Sequence, residues 1–129
     1  MEINRIKETC LYISDLERSI QFYHGIMGLK IHSKIRGSHV FFRAGESMLL
    51  CFLKGVTEKQ SKLPPHFAVG QIHFAFEVPA KDYDDWKNAL KTKGIPIEHE
   101  QDWKNNLKSF YFRDPDEHLV EILQAGIWD

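Results

Sequence analysis

The sequence has too few cysteines, too little net charge and too few long apolar runs for several classes of protein. Its two cysteines, Cys10 and Cys51, form no CxxC pair, so no disulfide framework is predicted. The formal net charge is −1, and no basic patch favours nucleic acid. Apolar runs have the length of strands, and residues 1–5 lack the apolar core of a signal peptide. We therefore expect a cytoplasmic protein that binds neither nucleic acid nor membrane.

The sequence does contain an internal repeat of strand and helix patterns. Alternating residues predict strands at 8–13 and 72–78, and a helical periodicity follows each of them and ends at a glycine, Gly28 or Gly94. Ser14, with Glu17 three residues later, predicts a capping box at the first helix. Further strands are predicted at 29–35, 39–43, 48–53, 95–98, 110–112 and 119–123.

The two halves of the chain can be superposed in sequence. Glu8 matches His73 at an offset of 65 residues, and an offset of 70 matches Phe41 with Tyr111. This predicts an α+β fold in which two β-α-β-β-β modules form an open, half-barrel mixed sheet, with helices outside and a concave groove inside. The single domain, 1–129, then comprises a first module at 1–55, a polar, proline-bearing linker at 56–70 and a second module at 71–129.

One carboxylate stands out in the last predicted strand. Glu121 lies within the apolar run 119–123, which follows the turn sequence Asp114-Pro115-Asp116. A carboxylate in apolar surroundings costs several kcal/mol unless a cation, a metal or hydrogen-bond donors meet it. A salt bridge to Arg or Lys is one way to satisfy Glu121, and a metal ion is another.

Strand alternation and the repeat together predict which side chains share the groove. Glu8, His73 and Glu121 point from equivalent strands into it, and the offset of 70 places Cys51 at the fourth equivalent position. One imidazole and two carboxylates suit a divalent ion such as Zn²⁺, Ni²⁺, Mn²⁺, Fe²⁺ or Co²⁺. Cys51 is either a fourth ligand or a small groove-lining residue. The candidate groove-lining residues are Cys10, Tyr12, Cys51, Ala75 and Tyr111.

Three runs of sequence carry a resemblance to a known family. Residues 8–29, 72–78 and 111–122 resemble the vicinal oxygen chelate superfamily, which includes glyoxalase I, fosfomycin-modifying thiol transferases, extradiol dioxygenases and bleomycin-resistance proteins. The family's metal ligands fall on Glu8, His73 and Glu121. Glu8 departs from the His or Gln common at its position, and Glu117 stands where a Gly often follows Asp-Pro-Asp.

The resemblance implies a metal-dependent enzyme that acts on a small oxygen-rich substrate chelated by a divalent ion. Glu121 and Glu8 are then the candidate catalytic carboxylates and proton shuttles. The reaction stays open between isomerisation by a lyase, thiol transfer with a thiol cosubstrate, and oxygen insertion by a dioxygenase. Small members of the family usually form homodimers. The alternative is a metal-free small-molecule binding protein like the bleomycin-resistance proteins.

Overall fold

The computed structural model describes all residues, Met1–Asp129, and consists of two compact units, Met1–Gly70 and Gln71–Asp129. Each unit contains one four-stranded mixed sheet and one α-helix in the order β-α-β-β-β. The α+β class and the two-module architecture are thereby confirmed, and neither sheet closes into a barrel. None of the helices is long and apolar enough to cross a membrane.

The first unit pairs its strands in the order β1-β4-β3-β2. β1 runs parallel to β4, and the other neighbours are antiparallel. Helix α1 connects the first two strands along the chain and continues directly into a π-helical segment, Gln21–Ile26. The elements are β1 (Glu8–Ile13), α1 (Leu16–Ile20), β2 (Lys30–Ile35), β3 (His39–Ala44) and β4 (Ser47–Leu53).

Helix α1 begins one residue later than the predicted capping box. Asp15, not Ser14, is the N-cap: its side chain accepts a hydrogen bond from the backbone N–H of Arg18 at 3.0 Å. The helical segment ends where predicted, because Gly28 has a φ of +74° and takes the left-handed conformation that glycine adopts without steric cost.

The second unit has the same topology, with its strands in the order β5-β8-β7-β6. The strand predicted at 95–98 lies later in the chain, at His99–Asp102. The reason is that the N–H of Ile95 bonds the carbonyl of Leu90 at 2.9 Å and so completes the end of the preceding helix. The elements are β5 (His73–Val78), α2 (Tyr83–Thr92), β6 (His99–Asp102), β7 (Lys108–Arg113) and β8 (Leu119–Gln124).

One face of each sheet packs under its helix and forms the core. Fully buried aromatic rings join helix to sheet in both units: Tyr23 meets Phe42 at 5.7 Å, and Tyr83 meets Phe110 at 5.3 Å. Burying each large apolar side chain contributes about 1.5–3 kcal/mol. The alternation that buries these residues presents the intervening ones on the opposite face, which we call the open face of each sheet.

The hairpin between β7 and β8 is built on an aspartate, as its sequence predicts. Buried Asp114 accepts hydrogen bonds at its Oδ1 from the backbone N–H groups of Asp116 and His118, both at 2.9 Å. Glu117 adopts a φ of +66°, a conformation that favours glycine. His118 belongs to this scaffold, because its Nδ1 accepts a hydrogen bond from the N–H of Ile72 at 3.1 Å.

Candidate functional site

The open face of the second sheet carries an imidazole and a carboxylate side by side. His73 Nε2 lies 3.3 Å from Glu121 Oε2, and the Glu121 side chain is only 8% exposed. His73 Nδ1 lies 3.0 Å from the carbonyl oxygen of Leu119, so it must carry the proton and donate it there. The free lone pair of His73 is then on Nε2, the nitrogen that faces Glu121.

A chain of hydrogen bonds leads from the β6–β7 connection to the same carboxylate. The Trp103 indole N–H donates to Ser109 Oγ at 2.9 Å. The Tyr111 hydroxyl is hydrogen-bonded to both Ser109 and Glu121. Burial, followed by the hydrogen bond to Glu121, raises the pKa of Tyr111, so its hydroxyl stays protonated and donates to Glu121. Glu121 thus has two neighbours, the Tyr111 hydroxyl, which donates a hydrogen bond to it, and the His73 imidazole.

Ala75 lies beside Glu121 in the register of β5 and β8, and Tyr111 lies beside it on β7. The Tyr111 ring stands between two imidazoles, with its centroid 5.9 Å from that of His73 and 5.9 Å from that of His99. The second unit therefore presents both predicted groove residues, Ala75 and Tyr111, on its open face.

Glu8 lies on the open face of the first sheet, at the start of β1. It is solvent-exposed and borders a cavity of about 460 Å³ that lies wholly within the first unit. No group of three His, Cys, Asp or Glu side chains comes together within either unit. Of the predicted ligands, Glu8 lies in the first unit, and His73 and Glu121 lie in the second.

Cys51 does not lie where the sequence overlay put it. It pairs with Leu11 and Val40, and all three are fully buried on the face under the helix. The β7–β8 hairpin is one residue longer than the β3–β4 hairpin, so the repeat offset changes from 70 to 71 across it. Leu50, not Cys51, is the counterpart of Glu121, and the prediction that Cys51 lines the groove was wrong.

The remaining predicted groove residues, Cys10 and Tyr12, lie on the open face of the first sheet. Burial and then the negative charge of Glu8 raise the pKa of Cys10, which keeps the thiol protonated and weakly nucleophilic at neutral pH. The Tyr12 hydroxyl is 2.7 Å from His66 Nδ1. Burial is also the main cause that raises the pKa of Tyr12.

Sequence reasoning missed two residues of this face. Leu50 was hidden by the one-residue shift, which arises because one more residue lies between Arg113 and Leu119 than between their counterparts Arg43 and Met48. His66 contacts Tyr12, and its ring centroid lies 5.2 Å from that of Phe52. Its position after Pro64-Pro65 in an irregular connection gives no periodic signal.

Comparisons with known proteins agree with this architecture. A profile of the Glyoxalase/Bleomycin resistance protein/Dioxygenase superfamily matches residues 5–122. The chain belongs to this superfamily. Its members share the scaffold and differ in their chemistry. Membership therefore identifies the fold of this chain but not its reaction.

Three relatives are informative. The chain is 28% identical to glutathione transferase FosA of Serratia marcescens, over 93% of this chain and 80% of that protein. It is also 28% identical to metallothiol transferase FosB of Staphylococcus haemolyticus, over 98% and 88%. The crystal structure of lactoylglutathione lyase from Agrobacterium tumefaciens superposes with a TM-score of 0.94 and 36% identity, over 99% and 98% of the two chains.

The residues of the second unit fit a metal-binding role. A metal-ligating histidine usually donates its other ring N–H to a carbonyl or carboxylate, as His73 does to Leu119. A ligating carboxylate is usually hydrogen-bonded in turn, as Glu121 is to Tyr111. The two side chains are therefore oriented in the manner of ligands.

Proposed function

We propose that this protein is a metal-dependent thiol transferase that joins a small thiol to an oxygen-rich electrophile. The observation that carries the proposal is the oriented pair formed by His73 Nε2 and Glu121 Oε2, 3.3 Å apart. Its relatives are named as a glutathione transferase, a metallothiol transferase and a lactoylglutathione lyase, and each name involves a thiol or its adduct. Thiol chemistry is the class that these names share.

In this proposal Glu8, His73 and Glu121 hold one divalent ion, of which Zn²⁺, Ni²⁺, Mn²⁺, Fe²⁺ and Co²⁺ suit the donor set. The counterpart of Glu121 in the first unit is Leu50, which has no ligating atom. The three-ligand set leaves positions for two adjacent substrate oxygens, and it favours thiol transfer over a lyase that uses a fourth carboxylate. When bound, the ion supplies Lewis-acid stabilisation of the oxygen that becomes negative.

The residues themselves orient the ligands and handle the proton. Tyr111 and Leu119 hold Glu121 and His73 in place through hydrogen bonds. As the thiol sulfur forms its bond to carbon, the carbon–oxygen bond breaks and the oxygen takes the electron pair. The thiol proton passes to a carboxylate, Glu121 or Glu8, and from there to that oxygen. Atoms and charge balance without an oxidant or a reductant.

Metal content and turnover test the proposal together. We expect protein purified without added metal to carry a divalent ion, and we expect His73→Ala to lose it. His32→Ala, which removes an exposed histidine of β2, is the matched control and should keep the ion.

Turnover is tested with a panel of substrates: fosfomycin with glutathione or cysteine, methylglyoxal with the same thiols, and catechols. Thiol consumption with an epoxide, lost in His73→Ala, is the expected result.

Two outcomes would overturn the proposal. One is metal at far below one ion per chain that His73→Ala leaves unchanged, together with no rise in melting temperature when metal is added. The other is turnover of catechols or isomerisation of the methylglyoxal adduct without thiol transfer. We further propose that the protein is cytoplasmic and that it forms a homodimer. Light scattering of the purified protein tests the homodimer through its molar mass.

A further inference from the structure

The first unit contains an aromatic-walled cavity, of which the proposed metal chemistry uses only Glu8. Its volume is about 460 Å³, within the range of pockets that hold small organic ligands. Its aromatic walls are formed by Phe41, Phe52, His39 and His66. Its apolar lining also includes Leu50 and Leu63. Leu63 is 67% exposed, so an apolar surface stands open to solvent at this cavity.

The rings of this cavity are arranged around one another in fixed contacts. His39 stacks on Phe41 at a centroid distance of 4.1 Å and an interplanar angle of 13°. Phe52 meets the edge of Phe41 at 5.3 Å and that of His66 at 5.2 Å. Burial lowers the pKa of His39, which keeps its imidazole neutral and suited to stacking.

The connection that follows β4 is fastened over the sheet at this cavity. Thr57 Oγ1 donates to the carbonyl of His66 at 2.5 Å, and the N–H of His66 donates back to the Thr57 carbonyl at 3.2 Å. Tyr12 holds the His66 ring from the sheet side at 2.7 Å. These bonds fix one wall of the cavity before a ligand arrives, which lowers the entropic cost of binding.

The charges of the lining restrict what the cavity accepts. Glu8 is its one charged residue, and no Lys or Arg contributes to it. A carboxylate or phosphonate placed there would be desolvated without a cation and would face Glu8. A flat, uncharged aromatic ring instead matches the ring faces and edges of the walls.

The register of the sheet places this cavity next to Glu8. The open face of β1, β4 and β3 has three successive rows: Glu8 with Met48 and Arg43, Cys10 with Leu50 and Phe41, and Tyr12 with Phe52 and His39. Neighbouring rows on one face are about 7 Å apart. A ring over the middle row therefore lies about 7 Å along the strand from the position of Glu8, which is about the length of a phenyl ring together with an oxygen-bearing two-carbon substituent.

We propose that this cavity is a binding subsite for an uncharged aryl group, so that the substrate carries an aromatic ring beside its pair of adjacent oxygens. The identity of the substrate class rests on the proposed function, whereas the binding of the ring does not. Relative to a substrate without a ring, burial of a phenyl group in this cavity should strengthen binding by about tenfold or more.

Binding of a neutral probe tests the subsite without any turnover. The probe is 1-phenyl-1,2-ethanediol, and its comparators are 1,2-propanediol, which lacks the ring, and mandelate, which adds a carboxylate. Dissociation constants come from NMR titrations of the full-length protein. We expect the phenyl diol to bind about tenfold more tightly than either comparator. The preference for the phenyl diol over 1,2-propanediol should persist in His73→Ala, because both diols carry the same pair of oxygens and only the ring differs, so the subsite stands even if the metal chemistry fails.

Two variants and one control locate the binding. Phe52→Ala should weaken binding of the phenyl diol by about tenfold, and Leu63→Ser by about threefold. Since Leu63 is exposed, the second variant keeps the test valid if Phe52→Ala does not fold. Phe67→Ala is the matched control, because Phe67 is 55% exposed and lies outside the cavity lining. Equal affinity for the phenyl diol and 1,2-propanediol, or equal effects of Leu63→Ser and Phe67→Ala, would overturn the proposal.

Discussion

The two sheets of this protein share one topology and carry different chemistry on their open faces. At the position equivalent to Glu121, the first sheet has Leu50, and at the position equivalent to Tyr111 it has Phe41. The second sheet thus presents a hydrogen-bonded carboxylate and imidazole, whereas the first presents aromatic and aliphatic walls. Only β1 and β5 keep a ligand-capable side chain at the same place, Glu8 and His73.

The difference shows which face of a duplicated sheet is free to change. The faces under the helices both remain apolar, with buried Phe42 and Val40 in one unit and Phe112 and Phe110 in the other, because a polar group buried there without a partner would be costly. The open faces carry no such restriction. One unit can therefore supply polar ligands while the other supplies an apolar surface, without loss of the fold.

The largest predicted effect separates the two faces of β4. Cys51→Glu places an ionised carboxylate among Leu11 and Val40, both fully buried, and should lower the free energy of unfolding by several kcal/mol or prevent folding. Leu50→Glu is the matched variant one residue away, and its carboxylate reaches the cavity and solvent there. We expect it to cost less than half as much in urea denaturation.

This pair of variants also tests the one-residue shift between the two hairpins. If Cys51 faced the open side, as the overlay at an offset of 70 implied, the two penalties would be reversed. Soluble expression and a melting temperature near that of the unchanged protein for Cys51→Glu would contradict the register of β4. Cys51→Ala serves as the control for loss of the thiol alone.

The fold could be predicted from the sequence because its signals are local and repeated. Alternation in 8–13 and 72–78, together with helices that end at Gly28 and Gly94, identifies a module that occurs twice. The candidate pair His73 and Glu121 followed from the same alternation. The burial of alternate residues on β1 agrees with it, because Leu11 and Ile13 are buried whereas Cys10 and Tyr12 are half-buried.

The errors arose where a count of residues, not a periodicity, decides the answer. Strand side chains alternate with a period of two, so one extra residue in a hairpin moves a side chain to the other face. That is why Cys51 was assigned to the wrong face and Leu50 was overlooked. His66 lies in an irregular connection whose path is set by hydrogen bonds with Thr57, and no local pattern encodes such a path.

A smaller effect is expected from the hydroxyl that distinguishes Tyr111 from its counterpart Phe41. Tyr111→Phe removes the hydrogen bond to Glu121 and should weaken metal binding by about tenfold, as the loss of a residue that orients a ligand typically does. Chelator competition measures the affinity. The reciprocal variant, Phe41→Tyr, adds a hydroxyl beside Leu50 and should leave the affinity unchanged. Equal effects of the two variants would show that Tyr111 does not orient Glu121.

The smallest effect concerns one exposed ion pair in each unit. Lys87 and Glu100 are 2.5 Å apart with side chains 20% and 32% exposed, and Tyr83 donates a further hydrogen bond to Glu100. Lys34 and Glu17 are 2.5 Å apart but 39% and 68% exposed. Solvent screens the second pair more, so Lys87→Met should lower the free energy of unfolding by about 0.5 kcal/mol and Lys34→Met by less.

The contribution of Lys87 should also depend on pH. Its hydrogen bond is the main cause that lowers the pKa of Glu100 below the ordinary value of 4.5. A lowered pKa in the folded state means that the stabilisation is present above pH 4.5 and disappears as the pH falls through the lowered value. The melting temperatures of the unchanged protein and Lys87→Met should therefore converge in acid. A gap that stays constant from pH 7 to well below 4.5 would show that Lys87 stabilises its unit through its ammonium group, which lies 5.5 Å from the centroid of the Tyr83 ring, and not through the charge of Glu100.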